Sequence, residues 1–320
     1  MLGSPGYLMP DNSREHSDVR SSPTIRDYGL LIGLSLIFGT SFIFTDISVS
    51  HLPPFTVATT RLIIAFGLMY VVMKIARQSL PDGGRVWLYI VLSAATGNAI
   101  PFVLISWGQV KVEAGLTAIF MAVMPLATIV IANLFTDDEK LNRGKFAGVI
   151  CGVAGIVVLI GPAALSQVGE NTLRQLAILS AALCYAINAV ITRKLTSLPR
   201  LPMITAILMS ASAMLIIPTL IVDQPWQLQY EATPMIAVIL LAIGPTAFAT
   251  WLILTIIDRQ GASFMSQINF MVPLFGVALG STFLHERLPI NAYFALLIIL
   301  CALALSRRGT SLQGATKRAA

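Results

Sequence analysis

Two opposite charges stand inside apolar stretches of this chain, and each needs a chemical reason to be there. Asp46 lies near the end of the run 28–49, and Arg61 lies within the run 55–74. An unpaired charge at membrane depth costs ~2.5–3.5 kcal/mol on insertion scales. A short hairpin, His51-Leu52-Pro53-Pro54, joins the two runs and brings the charges within reach of each other. A gate or a proton-linked pair is one reading of them; a structural ion pair, or snorkelling to the surface, is the other. Uncharged polar groups follow in later apolar runs: Asn98, Tyr185, Asn188, Gln267 and Asn269. Each is able to bond a solute, or to tie helices together for about 0.6–2 kcal/mol. Trp107 and Trp251 offer flat rings for stacking, although a tryptophan at a span end also serves as an interface anchor.

The prolines carry a second kind of chemistry. Ala114 to Leu141 is an apolar run interrupted by Pro125 and closed by Glu139-Lys140-Leu141. Ala262 to Leu288 repeats that plan, with Pro273 and a closing Glu286-Arg287-Leu288. Pro273 falls 148 residues after Pro125, and the closing triplets are 147 apart, so the chain reads as a doubled unit. A helical proline removes one N–H and clashes with the carbonyl four residues back, here Met121 and Asn269. Lipid cannot satisfy such a carbonyl, so the breaks are expected to face protein or a wet cavity.

The elements that position these groups are membrane helices. Among 320 residues, 56% are hydrophobic and 11% charged, with a mean hydropathy of +0.81. A soluble domain carries about 25% charge. Continuous apolar runs of about 20 residues point to helices rather than barrel strands. Ten spans are expected: Tyr28–Val49, Phe55–Lys74, Val86–Trp107, Ala114–Phe135, Gly144–Ile160, Leu173–Ile191, Met203–Val222, Met235–Ile257, Ser263–Leu284 and Ile290–Leu305. If the N-terminus is inside, 17 of the 21 Lys and Arg fall on the cytoplasmic side, which places both termini there. Ten spans in two units make five per unit, so the second unit crosses in the opposite sense. The fold class is an all-α integral membrane protein of two inverted five-helix repeats. Inverted repeats are the architecture of alternating-access transporters, with the site near the midplane. The expected segments are a disordered cytoplasmic tail over 1–26, repeats over 27–162 and 172–307, and a second cytoplasmic tail over 308–320.

Other chemistry is weakly supported. Cys151, Cys184 and Cys301 lie in apolar runs with neither disulfide nor metal spacing and read as packing residues. His16, His51 and His285 are not mid-span. Asp137-Asp138-Glu139 sits beside Lys140, Arg143 and Lys145 and reads as a solvated loop. Nucleotide-loop, serine-hydrolase and zinc-protease signatures are missing, so no enzyme activity, cofactor or metal is implied. The net charge of +6 follows the membrane topology and does not call for nucleic acid. Gly144, Gly148, Gly152 and Gly155 share one helix face and read as a packing stripe.

The ordered set of motifs resembles the drug/metabolite transporter superfamily in its EamA-type ten-helix branch. The resemblance spans about Tyr28 to Ser306. It is carried by Phe38-Gly39-Thr40-Ser41-Phe42, by Pro54 with Arg61, by the two proline-broken spans with their closing triplets, and by Tyr185 to Lys194. Phe38 stands where relatives usually have tryptophan, which removes an indole N–H. The resemblance implies two inverted repeats around a central cavity that carry small metabolites across the inner membrane, often outward. Arg61 is the one cation at depth, so phosphorylated solutes are disfavoured, and amino acids or other neutral or zwitterionic solutes fit better. The expected binding set is Asn98, Trp107, Met121, Pro125, Tyr185, Asn188, Trp251, Gln267, Asn269 and Pro273, with Asp46 and Arg61 as gate or ion pair. The expected partners are the lipid bilayer and a small-molecule substrate. Asp46 and Glu113 are the candidate carriers if transport is proton-coupled, and no oligomeric state is implied. The alternative function is a membrane-embedded enzyme acting on a lipid-like substrate.

Overall fold

The computed structural model describes residues 23–135, 141–160 and 170–319. Most of the expected first tail, and the stretch 136–140 with Asp137, Asp138, Glu139 and Lys140, lie outside them. The described chain is helical throughout and makes ten helices: α1 Ile25–Val49, α2 Pro54–Ile75, α3 Gly84–Gln109, α4 Ala114–Phe135, α5 Arg143–Ile160, α6 Glu170–Thr192, α7 Arg200–Asp223, α8 Ala232–Gln260, α9 Ala262–Met265 with Ile268–Phe283, and α10 Ile290–Ala319. Eight are long and apolar enough to cross a membrane, and the apolar parts of α9 and α10 are shorter.

Local sequence sets the helix ends. Thr24 caps α1 in a capping box, its backbone N–H donating to the Asp27 carboxylate at 2.9 Å. Pro54 opens α2 at a position where a missing N–H costs nothing. Gly83, at φ +101°, makes the turn into α3 that a side chain would strain. The tenth helix departs from expectation by running on to Ala319. Hydropathy marks where a span leaves the apolar layer, but nothing in SRRGTSLQGATKRA forbids continued helix; it has no proline.

Packing follows the duplication. α1 packs on α9, and α6 packs on α4; α3 packs on α6, and α8 on α1. Each contact recurs five helices on, while α2 with α7, α4 with α9 and α5 with α10 are pairs of counterparts. Small residues permit these approaches. A Cβ on Gly148 would lie 2.7 Å from the Ala302 carbonyl of α10, and one on Gly155 2.7 Å from Ile299, so the α5 glycine stripe is packing, as its spacing implied. The α2–α7 seam is small and hydroxylated, with Thr59 and Thr219 hydroxyls 2.6 Å apart.

Three helices are wound wide by a π turn: α3 at Ala95–Ala99, α7 at Thr219–Asp223 and α8 at Ala242–Phe248. Those in α3 and α8 start 147 residues apart, so they are equivalent in the two halves. α4 and α9 are interrupted at different places. α4 turns at Ala122–Val123, where Val123 N–H reaches Phe120 O and Leu126 N–H reaches Val123 O, just ahead of Pro125. α9 turns at Ser266–Gln267, and Pro273 lies inside the continuous segment that follows. The break therefore comes a full turn or more before Pro273, where it is expected. Ser266, Gln267 and Asn269 supply groups that compete with helix hydrogen bonds.

Candidate functional site

Arg61 leaves α2 towards the space between the halves. Its Nε donates to the Thr246 hydroxyl of α8 at 2.7 Å, and its guanidinium lies 3.8 Å from the centroid of the Phe102 ring of α3. Tyr185 of α6 is close enough for each group to act on the other's charge. Two repeats contribute: α2 and α3 from the first, α6 and α8 from the second. The π turn of α8 carries Thr246, and the π turn of α3 ends three residues before Phe102. Widening a helix by one residue re-aims side chains, which is why π turns recur at functional positions. Asn98, in the α3 π turn, is half-buried and makes no side-chain hydrogen bond to a described residue.

Asp46 does not meet Arg61, so the expected ion pair is not formed. Arg61 turns to Thr246 instead, and Asp46 lies under the influence of Glu286 and Glu113. The hairpin brings α1 and α2 together, but the two side chains leave their helices towards different neighbours.

That acidic neighbourhood belongs to a seam at the end of the bundle opposite the chain termini, here called the far end. Glu286, in the α9–α10 connection, accepts from the N–H of Ala114 at 2.6 Å and of Gly115 at 2.9 Å, at the start of α4. A negative group is stabilised there by the unpaired N–H groups of a helix start. The carboxylate fits only because Gly115 and Gly280 lack side chains; a Cβ on Gly280 would stand 2.4 Å from Glu286 Oε2. Burial pushes the Glu286 carboxyl above its ordinary value, against the two backbone donors that pull it down. Below this, Gly276 of α9 is so close to α4 that a Cβ would stand 2.4 Å from the Ala118 Cβ. Phe42, Ala114 and Ala118 form a buried cluster over the same seam.

Towards the terminal end, α4 and α9 part. The second segment of α4 packs on α6, α5 and α10 rather than on α9. A cavity of about 160 Å³ lies there, lined by Pro125, Ile129, Ser266, Asn269, Phe270, Leu303 and Ser306. Two residues from the doubled stretch, Pro125 and Asn269, thus face one space, and Gln267 sits at the turn beside it.

The other expected binding residues fall elsewhere. Pro273 is buried, and Met121 packs among apolar side chains. Asn188 is held inside the protein: its Oδ1 accepts from Ser93 at 2.7 Å, and its amide presses on Gly97 of α3. Trp107 lies under Arg174, whose guanidinium is 4.0 Å from the ring centroid and donates to the Trp107 carbonyl at 2.6 Å. Trp251 is 55% exposed and stacks on Phe248, on the face of α8 that also exposes Ile236, Leu240 and Ile243, away from Thr246. An indole there anchors the outer surface of the bundle rather than lining its centre. Sequence reasoning passed over Thr246, Phe102 and Gly276. The repeat offset held one signal for them, since Gly97 and Gly244 are also 147 residues apart.

The EamA-like transporter family model matches residues 27–161 and again 173–308. The chain belongs to the EamA-like transporter family. Among its relatives, the uncharacterized transporter YoaV of Bacillus subtilis is 23% identical over 86% of this chain and 94% of its own length. The uncharacterized inner membrane transporter YedA of Escherichia coli K12 is 26% identical over 88% of this chain and 90% of its own. A crystal structure of another protein superposes with a TM-score of 0.63 over 88% of this chain and 96% of that one, at 17% identity, and shares the fold. This EamA protein is therefore a multi-pass membrane transporter with two EamA domains.

Proposed function

We propose that the chain is a secondary transporter that exports small neutral or zwitterionic metabolites, amino acids or their relatives, across the inner membrane by alternating access. One observation carries this reading: α4 and α9, counterparts in the two halves, touch at the far end and part at the terminal end. Two inverted halves with one end shut and the other open are half of an alternating-access cycle. The distribution of Lys and Arg supports cytoplasmic termini, which makes this conformation open to the cytoplasm, and the name of YedA is consistent with an inner-membrane location. Pro125, Asn269 and Gln267 would meet the solute on its way, with Asn98, Tyr185 and Arg61 deeper in. The enzyme alternative needs a catalytic pair at depth, and Asp46 and Arg61, already a poor one, are apart.

Reconstitution tests this. Liposomes loaded with a mixed pool of unlabelled amino acids and sugars should accumulate at least one labelled member by counterflow, above protein-free liposomes. Uniform failure across the pool, with correctly inserted protein, removes the transporter proposal.

A further inference from the structure

Arg61 is an anomaly. A guanidinium is never neutral at physiological pH, and one held between helices needs a negative partner or water. Among the described residues it has no carboxylate partner, unlike Arg200, which pairs with Asp258, and Arg259, which pairs with Asp27. Its Nε is engaged by Thr246 and one ring face by Phe102, but its two terminal nitrogens have no hydrogen-bond partner among these residues. The hydroxyl of Tyr185, a residue that packs against the same apolar cluster as Phe102, likewise has no hydrogen bond to a described residue, and neither does the Asn98 amide one turn before Phe102. Arg61 and Tyr185 thus offer donors that no described residue accepts. Thr246 is itself fixed, donating to the Leu241 carbonyl at 3.0 Å within the π turn, so Arg61 is oriented.

We propose that Arg61, oriented by Thr246 and Phe102 and assisted by Tyr185, is the site that binds a carboxylate of the transported solute; this rests on the transporter reading above. The two terminal nitrogens present the parallel N–H pair that a carboxylate accepts bidentately. Phe102 covers one face of the guanidinium and excludes water from it. Tyr185 supplies an O–H donor to the same oxygens. A carboxylate arriving here neutralises the guanidinium, so binding and charge compensation are a single event. The inference narrows the solutes from neutral or zwitterionic compounds in general to those with a free carboxylate, such as amino acids. It also moves Arg61 from gate to binding residue.

The test compares acids with their own amides. Purified protein in detergent is melted with each of the common amino acids and, separately, with the corresponding carboxamide and with sodium chloride. At least one amino acid should raise the melting midpoint while its amide does not. R61Q should weaken that acid about 30-fold or more, the effect of removing one partner of a buried charged pair. R61K, which keeps the charge without the fork, should recover part of it. Y185F removes a single hydroxyl, is expected to fold if R61Q does not, and should weaken the same acid. Equal stabilisation by acid and amide overturns the proposal, as does full affinity in R61Q or Y185F, or an effect that chloride alone reproduces. Counterflow of a solute without a carboxylate, unchanged in R61Q, would sink the carboxylate site and leave the transporter intact. No counterflow of any solute would sink both.

Discussion

Gly276→Ala adds one methyl group at a close approach between the halves. The new Cβ would lie 2.4 Å from the Ala118 Cβ, whereas carbon atoms pack comfortably at about 3.5–4.0 Å. α4 and α9 must then separate by roughly 1.1–1.6 Å at the far end. Overpacking of this kind costs about 1–3 kcal/mol. The cost falls on the far-closed conformation alone, because α4 and α9 touch there and not after opening. The helix itself loses nothing, since alanine is the better helix former by about 1 kcal/mol. The substitution should therefore raise the far-open population about 5- to 150-fold. The readout is a cysteine at Ala114, which is fully buried in the far-end cluster, in a background with Cys151, Cys184 and Cys301 replaced. A membrane-impermeant maleimide added from the far side should label it at least several-fold faster when Gly276 is alanine. An unchanged rate would refute the claim that this seam is the far gate.

Three further outcomes follow. The raised carboxyl of Glu286 means that the far-closed state holds its proton to higher pH than the solvated open state does, so falling pH favours closure. Labelling at Ala114→Cys, scaled to that of a free thiol at the same pH, should slow as pH drops from neutral towards the ordinary carboxylate value, and Glu286→Gln should flatten that profile; a profile kept in the variant would refute the assignment to Glu286. Asn188→Ala should lower the melting midpoint by an amount equivalent to about 1–3 kcal/mol, because Ser93 loses its acceptor inside the α3–α6 seam; an unchanged midpoint with lost counterflow would return Asn188 to the binding set. Pro125→Ala should slow counterflow with little loss of stability, by letting α4 run straight past the cavity, whereas Pro273→Ala, inside an unbroken helix, should leave the rate unchanged. Equal effects in both variants would mean that the two breaks work alike after all.

Much of the architecture was legible because it rests on one-dimensional signals. Run lengths of apolar residues set the ten helices, and a repeated Pro and Glu-x-Leu spacing revealed the duplication before any contact was known. The glycine stripe of α5 was equally plain, since spacing alone puts it on one face. What could not be read depends on contacts between distant segments. Arg61 and Thr246 are 185 residues apart, and nothing local to either announces the other. The nearby Asp46 was the obvious partner by sequence distance, yet helix rotation turned the two away from each other. The π turns at Ala95 and Ala242 were hidden because one extra residue per turn leaves no compositional trace. Trp251 shows the converse: an indole suits a binding site and a membrane surface equally, and only the face of α8 that it occupies separates them. The α9 break was placed at Pro273 because proline is the strongest local punctuation, whereas the helix yields at Ser266–Gln267.

Opposite motion of the two ends is the central claim, and paired distances measure it directly. Spin labels at Lys111 and Thr282 report the far end, and labels at Leu134 and Met265 report the terminal end, each pair spanning α4 and α9 or their flanks. Electron–electron resonance on wild type and Gly276→Ala in liposomes should show the first distance lengthen and the second shorten together. If both lengthen, or if the far pair moves while the terminal pair stays still, the halves do not rock about a shared centre and the alternating-access account fails.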